Sequence, residues 1–414
     1  MRVIVVGQGG REHALVWKLK ASPLLSQIWL TGANPGAQEL AELLAWNGEP
    51  AHLVELARRV AADLVIVGPE VPLVAGLSDV LAEAGIKCLG PKRAAAQLEG
   101  SKAFAKQVMA RARVPTAGYQ SFRELEPALK YLKDQPLPVV VKDSGLAAGK
   151  GVQIALDLAQ ANSAVRAILA KPGAEVVIEE FLEGSEVSLL ALVDGQRVLP
   201  LLPAQDHKQL LDQDQGPMTG GMGAYCPYPL SQSEILDLSQ LTIEPVVKEL
   251  AQMGISYQGV LYAGLMLTAG GPKVLEYNVR LGDPETQAIL PLLKSDLLEL
   301  ALATVNGELD QISLAWQPGA AAGVVMSAPG YPDTPAKGIP INIPKLAPGV
   351  LVFHSGTSLE NNQLVSSGGR VLTVVGLGQD LPQALQNAYS AVAQIDFPGG
   401  HYRRDIGWRY GRTP

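Results

Sequence analysis

Lys142-Asp143-Ser144-Gly145-Leu146-Ala147-Ala148-Gly149-Lys150-Gly151 runs between two apolar stretches, residues 139–141 and 152–155. A phosphate loop of the G-x-x-x-x-G-K-[ST] type opens a helix and ends in a hydroxyl that holds magnesium. Here Gly145 and Gly149 are one residue too close, Gly151 stands in the hydroxyl position, and a strand follows. The segment reads instead as a hairpin flap rich in N–H donors, able to close over phosphates. Lys142 ends the preceding strand and can supply a point charge to them. A merely flexible surface hairpin is the bland alternative, which three glycines framed by two lysines disfavour.

Downstream, Val274-Leu275-Glu276-Tyr277-Asn278-Val279-Arg280 has period two. The alternation sends Leu275, Tyr277 and Val279 into a core and Glu276, Asn278 and Arg280 together to the other face. Glu and Asn oxygens suit a hard cation shared with phosphates, and an arginine can grip a carboxylate or phosphate with two N–H groups. Asn is disfavoured in strands, which argues against an ordinary solvated face. Gly282-Asp283-Pro284-Glu285 adds two carboxylates directly after. Between flap and strand, the backbone of Glu179-Glu180-Phe181-Leu182 can read an adenine edge, and Glu186 can accept from ribose hydroxyls. Taken alone, both signals are weak.

The N-terminal loop Gly7-Gln8-Gly9-Gly10-Arg11-Glu12-His13 follows a strand and opens a helix, but Glu12 occupies the third glycine position of a dinucleotide fingerprint. The second strand ends in Thr31-Gly32-Ala33-Asn34, without a carboxylate for a ribose 2′-hydroxyl, so NAD is disfavoured. Backbone N–H groups at the helix start still make an anion site; a tight turn needing glycine only for packing is the alternative.

Around these motifs, residues 3–6, 28–30, 64–67 and 88–89 read as buried parallel strands, closely followed by Gly7, Gly32, Gly68 and Gly90. A helix is expected over 11–19 and another over 98–113. Residues 139–141, 152–155, 176–178 and 187–193 read as the strands of a small α+β module with one helix at 158–170. A long helix is expected around 234–253, strands 260–267 and 274–280 joined by a turn at 269–272, and a strand-rich C-terminal region beyond Gln317 with a late helix at 382–395.

The chain has 414 residues, enough for two to four domains at ~100–200 residues each. Hydrophobic residues make up 47% and charged residues 18%, a balance typical of folded domains. The formal net charge of -7 argues against a general nucleic-acid binder. Cys88 in an apolar strand and Cys226 in a loop are expected to be free thiols. No apolar run approaches the ~20 residues that span a bilayer, and a cytoplasmic protein without membrane partners is expected.

Taken in order, Gly7 to Ala14, Val67-Gly68-Pro69-Glu70, Gln97-Leu98-Glu99-Gly100-Ser101-Lys102, the flap glycines, Gln205-Asp206-His207-Lys208, Thr219-Gly220-Gly221-Met222-Gly223-Ala224-Tyr225 and Arg280-Leu281-Gly282-Asp283-Pro284-Glu285 closely resemble the glycinamide ribonucleotide synthetases, ATP-grasp ligases of purine biosynthesis. The resemblance implies an α/β and α+β multidomain chain. Its parts would be an N-terminal parallel-sheet substrate domain (1–101), an ATP-grasp domain (102–310) with a small lid (about 115–190), and a strand-rich C-terminal domain (311–414). It implies ATP and Mg²⁺ or Mn²⁺ as cofactors, glycine and 5-phosphoribosylamine as substrates, and a monomer or at most a weak homo-oligomer. By the same likeness, Gly9, Gly10, Pro35, Gly36, Pro69 and Glu70 would hold phosphoribosylamine. Lys102, Lys142, Gly145, Gly149, Lys150, Gly151, Glu179, Glu180, Phe181, Leu182 and Glu186 would hold ATP, and Glu276 and Asn278 the metal. Asp206, Lys208, Thr219, Gly220, Gly221, Met222, Gly223, Arg280 and Asp283 would surround glycine and the acyl phosphate.

Two departures stand out. The family commonly has Lys-Ala-Asp-Gly before the flap glycines, so Asp143 is displaced by one position and takes no role. Strand 260–267 carries no carboxylate, so a second fully protein-ligated metal is not expected. Other ATP-grasp ligases, or a nucleotide-binding regulatory module without catalysis, are the alternatives. The former lack this N-terminal loop combined with Gln205-Asp206-His207-Lys208; the latter fits poorly with Lys142, Glu276, Asn278 and Arg280 all present.

Overall fold

A computed structural model describes residues 1–146 and 151–411. The chain opens on a wholly parallel sheet in the order Glu42–Leu43, Gln27–Leu30, Arg2–Val6, Leu64–Val67, Lys87–Leu89. Its central strands are continuous β-branched runs buried on both faces, as a sheet covered by helices on both sides requires. Strand order reverses beside Arg2–Val6, so the crevice for a ligand lies at the carboxyl ends of Arg2–Val6 and Leu64–Val67. Helix Gly10–Leu19 starts there.

The sequence predicts one helix over 98–113. Two form instead, Arg93–Gly100 and Lys102–Arg111, broken at Ser101. Ser101 is extended and its hydroxyl accepts from the N–H of Phe104, so a capping residue stops one helix and starts the next. The helix expected around 234–253 is likewise divided into Gln232–Thr242 and Glu244–Gln252, the second opening with Pro245, whose ring cannot follow an uninterrupted helix.

The flap belongs to an antiparallel sheet ordered Tyr119–Phe122, Val176–Glu180, Val139–Asp143, Val152–Ala155. Helices Leu125–Leu132 and Leu158–Leu169 pack on it, closing a core of Leu132, Val139, Val141, Ala161, Val165 and Ile178. The strand Tyr119–Phe122 and helix Leu125–Leu132 escaped the sequence reading, because that strand is short and only partly buried. The strand grouped with this module at 187–193 lies elsewhere. Ser185–Asp194 pairs along its length with Gln258–Thr268, in a sheet ordered Val198–Pro200, Ser185–Asp194, Gln258–Thr268, Gly271–Asn278. Its alternate residues enter two different cores, Leu189 and Val193 one, Leu190 and Leu192 the other. Local pattern cannot say which sheet such a strand joins.

The strand-rich C-terminal region is built on a sheet ordered Gln205–Asp206, Gly223–Cys226, Ala320–Ser327, Arg370–Gly378, Val350–His354, against which helix Leu381–Val392 packs. Two of these strands come from before the preceding helical segment. Cys226 therefore lies buried in a strand rather than in the expected loop. Both thiols are free, and burial pushes the Cys88 thiol up to about 12.

Candidate functional site

The flap is a true hairpin. Val139–Asp143 pairs with Val152–Ala155, and the N–H of Asp143 donates to Gly151 O at 2.8 Å. Asp143, given no role from sequence, holds the loop's first turn: its Oδ1 accepts from Gly145 N–H at 3.1 Å and its Oδ2 pairs with Lys171 at 2.7 Å. Gly145 O accepts from Lys102 Nζ at 3.2 Å. The remaining flap candidates, Gly149 and Lys150, lie outside the described residues.

Ala117, Leu182 and Met266 form a small buried apolar cluster against which Leu275 packs. Leu275 was expected in the core. It turns the other way because the ladder slips there: Gly264 faces Glu276 but Leu265 faces Val274, leaving Leu275 as the extra residue of a bulge. Val274 and Tyr277 take the core positions instead. Glu179 lies nearby and is buried. Its Oε2 accepts from Lys142 Nζ at 2.9 Å and pairs with Lys106 Nζ at 3.1 Å, while its Oε1 is buried with no partner among the described residues. Lys106 also donates to Thr116 Oγ1 and sits over the Tyr119 ring. Burial lowers its pKa to about 8 against the pull of Glu179. Glu180 is turned outward to Lys273 and the N–H of Gly118. Phe181 is half-buried beside it.

The bulge leaves Glu276 and Asn278 on the side facing the flap. Burial pushes the Glu276 carboxyl up, but Lys208, Lys142, Lys102 and Arg280 outweigh it and hold the group below its ordinary range. The Lys102 pKa is lowered as well, because burial outweighs the attraction of Glu276. Glu186 lies close enough to Lys208 to raise that lysine's pKa, together with Tyr262 and Asp206. The described residues contain no group of three or more His, Cys, Asp or Glu able to hold a metal by themselves. Glu276 and Asn278 offer oxygen only, which fits a magnesium-type ion that takes its other ligands from phosphate and water.

Arg280 is held between two carboxylates, Glu70 at 3.2 Å and Glu99 at 3.0 Å, and also reaches Asn278 Oδ1. Burial pushes Glu99 up; at Glu70 the attraction of Arg280 and Arg11 overcomes burial and keeps it low. Pro69 caps the short helix that presents Glu70, at the carboxyl end of Leu64–Val67. The first glycine loop faces the same space. Glu12 reaches back to accept from the Gly9 N–H at 2.6 Å and pairs with Arg11 at 2.6 Å. It fills the room left by Gly68, where a Cβ would lie 2.0 Å from Glu12 Oε1. Part of the loop's anion-binding capacity is thus taken by the chain's own carboxylate. Gly10 abuts Gln287 and Ser355, and Gly36, beside Pro35, abuts His13 and His354. Asn34 ties this corner together, donating to Gln8 O at 2.8 Å and His354 O at 2.7 Å.

Asp206 and Lys208 stand 3.1 Å apart at the base of a hairpin formed by Gln209–Leu211 and Gln215–Met218. Burial raises Asp206 to about 7, and its Oδ1 is buried with no partner among the described residues. That oxygen faces Gly221, which adopts φ +109° and where a Cβ would lie 2.5 Å from it. Thr219 donates to Lys208 O and accepts from Gly221 N–H; Gly220 N–H donates to Tyr331 OH. Met222 is fully buried, with both backbone groups bonded within the sheet, and Gly223 packs against Gly323 and Ile406. Arg370 closes this end, donating to Gly220 O and Asp283 O and pairing with Asp283 at 3.4 Å. Arg370, Glu99, Lys106, Gln287 and Ser355 were not singled out from sequence. Glu99 lay inside a quoted motif; Arg370 carried no local signal.

Models of the phosphoribosylglycinamide synthetase N domain, ATP-grasp (A) domain and C domain match residues 1–99, 100–286 and 321–409. The chain belongs to the phosphoribosylglycinamide synthetase family. It is 48% identical to the phosphoribosylamine–glycine ligase of Brucella melitensis biotype 1, over 99% of this chain and 98% of that one. The crystal structure of the Thermotoga maritima phosphoribosylamine–glycine ligase superposes with a TM-score of 0.87 at 33% identity, covering 98% of this chain and all of that one. A biotin carboxylase domain from Hydrogenobacter thermophilus, solved with MgADP and bicarbonate, shares the fold at a TM-score of 0.74 and 19% identity, over 97% of this chain and 91% of that one. In this chain Lys208, Lys142, Lys102 and Arg280 all lie within electrostatic reach of Glu276.

Proposed function

We propose that this chain is an ATP-dependent ligase that joins glycine to 5-phosphoribosylamine, giving glycinamide ribonucleotide, ADP and phosphate in purine biosynthesis. The observation that carries the reading is a cluster of lysines around Glu276 with an acidic group beside it: Lys102, Lys142 and Lys208 act on Glu276, and Asp206 pairs with Lys208 at 3.1 Å. The lysines suit polyphosphate; the negative charge of Asp206 suits the ammonium of a small amino acid.

A carboxylate is a poor acyl donor at neutral pH. Attack of the glycine carboxylate on the γ-phosphorus of ATP releases ADP and leaves glycyl phosphate. The phosphoribosylamine nitrogen then attacks the acyl carbon, loses a proton and expels phosphate. The protein positions the reactants and neutralises charge. The lysines face the polyphosphate, and Glu179, near the Ala117–Leu182–Met266 cluster, can accept from an exocyclic amine of the base. Glu70 and the 7–10 loop address the ribose phosphate substrate, while Arg280, fixed by Glu70 and Glu99, links that subsite to the metal strand. Glu276 and Asn278 would hold Mg²⁺ or Mn²⁺, which supplies further neutralisation of phosphate charge when bound. Closure of the flap excludes water that would hydrolyse the acyl phosphate.

The reading is of a cytoplasmic enzyme that acts as a monomer or at most a weak homo-oligomer. The described residues contain no helix long and apolar enough to cross a membrane. The test is ADP release by the purified chain with ATP and Mg²⁺. Turnover that requires glycine and phosphoribosylamine together supports the reading; turnover only with another acid or amine overturns it.

A further inference from the structure

The reading above gives no task to Arg403-Arg404-Asp405-Ile406-Gly407, near the end of the chain. Arg403 is fully buried, an expensive place for a guanidinium unless its donors are met. They are met in equal parts by Asp405 and by the hairpin beside Asp206. Nη1 donates to Asp214 Oδ1 at 2.8 Å and to Gln209 O at 3.2 Å, while Nε and Nη2 grip Asp405 at 2.8 and 2.9 Å. Asp405 in turn accepts from Gln213 N–H at 2.7 Å, and Asp212 accepts from Arg404 N–H at 2.8 Å. Arg409 takes the other oxygen of Asp214 at 2.7 Å.

The hairpin needs such bracing. Its tip places Gln213 and Asp214 at φ +57° and +53°, a region non-glycine residues seldom adopt and keep only when their surroundings impose it. Its base is held from the same segment. Gly407 N–H donates to His207 Nε2 at 2.9 Å, which leaves His207 Nδ1 as the donor to Gly223 O at 3.2 Å. Tip and base are joined by one ladder: Gln209 pairs with Met218, Thr219 N–H donates to Lys208 O, and Met222 N–H donates to His207 O. A shift at Gln209 is therefore passed directly to Lys208 and, through His207, to Asp206.

We propose that Arg403 is a positioning residue for the glycine end of the cleft, clamping through Asp214 and Gln209 the hairpin that carries Asp206, Lys208, Thr219 and Gly221. The proposal rests on the assignment of that pocket to glycine. Asp214→Asn and Arg403→Lys test it in the full chain. Asp214→Asn leaves the buried Arg403–Asp405 pair in place; Arg403→Lys keeps the charge but loses the two-pronged geometry.

The expected result is a rise in KM for glycine of about 10- to 100-fold, with KM for ATP changed less than about twofold and the melting temperature of Asp214→Asn close to wild type. Hydrogen exchange at 207–222 should quicken in both variants. Unchanged KM for glycine in folded variants, or equal rises for glycine and ATP, overturns the proposal. If the wild type proves to use another acceptor acid, the pocket assignment fails by itself. The clamp is then judged by exchange at 207–222, and unaltered exchange in Asp214→Asn overturns it.

Discussion

Lys106→Met is expected to make the protein more stable and a poorer ATP binder. Lys106 is 1% exposed, and burial brings its pKa from an ordinary 10.5 to about 8 even with Glu179 at 3.1 Å. The difference of about 2.5 units corresponds to roughly 3.4 kcal/mol against the charged form at about 1.36 kcal/mol per unit. Methionine removes that penalty and keeps the volume. The lost hydrogen bond to Thr116 offsets about 1 kcal/mol, leaving a net gain of about 2 kcal/mol near pH 7. Glu179 keeps Lys142 as its partner at 2.9 Å, so no buried charge is left unpaired.

The pH dependence gives the sign. Between pH 8 and 10.5 the unfolded chain holds a proton on Lys106 that the folded chain has released. Stability of the wild type should therefore rise across that window, by up to about 1.4 kcal/mol per pH unit. The variant should lack the rise, so the gap between the two narrows as the pH climbs. Denaturant unfolding at pH 7 and pH 9.5 measures it, and ATP titration should show weaker binding because Glu179 loses one of its two fixing ammonium groups. A variant less stable than wild type at pH 7, or a gap independent of pH, refutes the reasoning.

Glu276→Gln should lower kcat by about 10²- to 10³-fold, the usual cost of removing one preorganised charge from a reacting site, with melting unchanged within a few degrees; wild-type turnover would remove Glu276 from the machinery. Since burial raises Asp206 to about 7, kcat/KM for glycine should climb as pH rises through 7 and then level, and Asp206→Asn should abolish that limb; an identical profile in the variant counts against the ammonium contact. Gly68→Ala puts a Cβ 2.0 Å from Glu12 Oε1 and should cost about 1–3 kcal/mol, read by thermal unfolding, while raising KM for phosphoribosylamine; full stability would mean the loop does not depend on Glu12. His13 and His207 are pushed down by burial to about 3 and 4. The unfolded chain protonates them first, so stability should fall below pH 6.5 by about 1.4 kcal/mol per unit for each, and His207→Gln should remove one such share in acid titration.

The strands legible in the sequence are those whose surroundings impose a simple rule. Residues 3–6 and 64–67 are buried on both faces and read as apolar runs; Glu276 and Asn278 share a face because a strand alternates. Leu275 broke the rule because a bulge inserts one residue, and alternation cannot register an insertion its partner strand alone reveals. The same limit hid where 187–193 belongs, since a doubly buried strand fits any sheet. Of the site, the residues within motifs were found and the structure brings many of them together: Lys102, Lys142, Lys208, Glu276 and Arg280 within one electrostatic neighbourhood. Arg370 and Lys106 were not, because each acts at a distance in sequence, 87 positions from Asp283 for one contact and on a helix whose own pattern is unremarkable. Asp143 shows the reverse case, a residue out of register with its family that is used to tie the flap rather than to touch a ligand.

The strands Gln205–Asp206 and Gly223–Cys226 lie in a sheet completed only by Ala320–Ser327, Arg370–Gly378 and Val350–His354. On a ribosome this imposes an order of events. The parallel N-terminal sheet and the flap module are contiguous in the chain and can close as soon as they emerge. The hairpin bearing Asp206 and Lys208 must wait for roughly the last hundred residues before its sheet exists. The Asp206 end of the site is thus the last part of the enzyme to be made. A nascent or truncated chain should bind nucleotide before it can bind its acid substrate, and a cut anywhere beyond the central helices leaves no smaller enzyme behind.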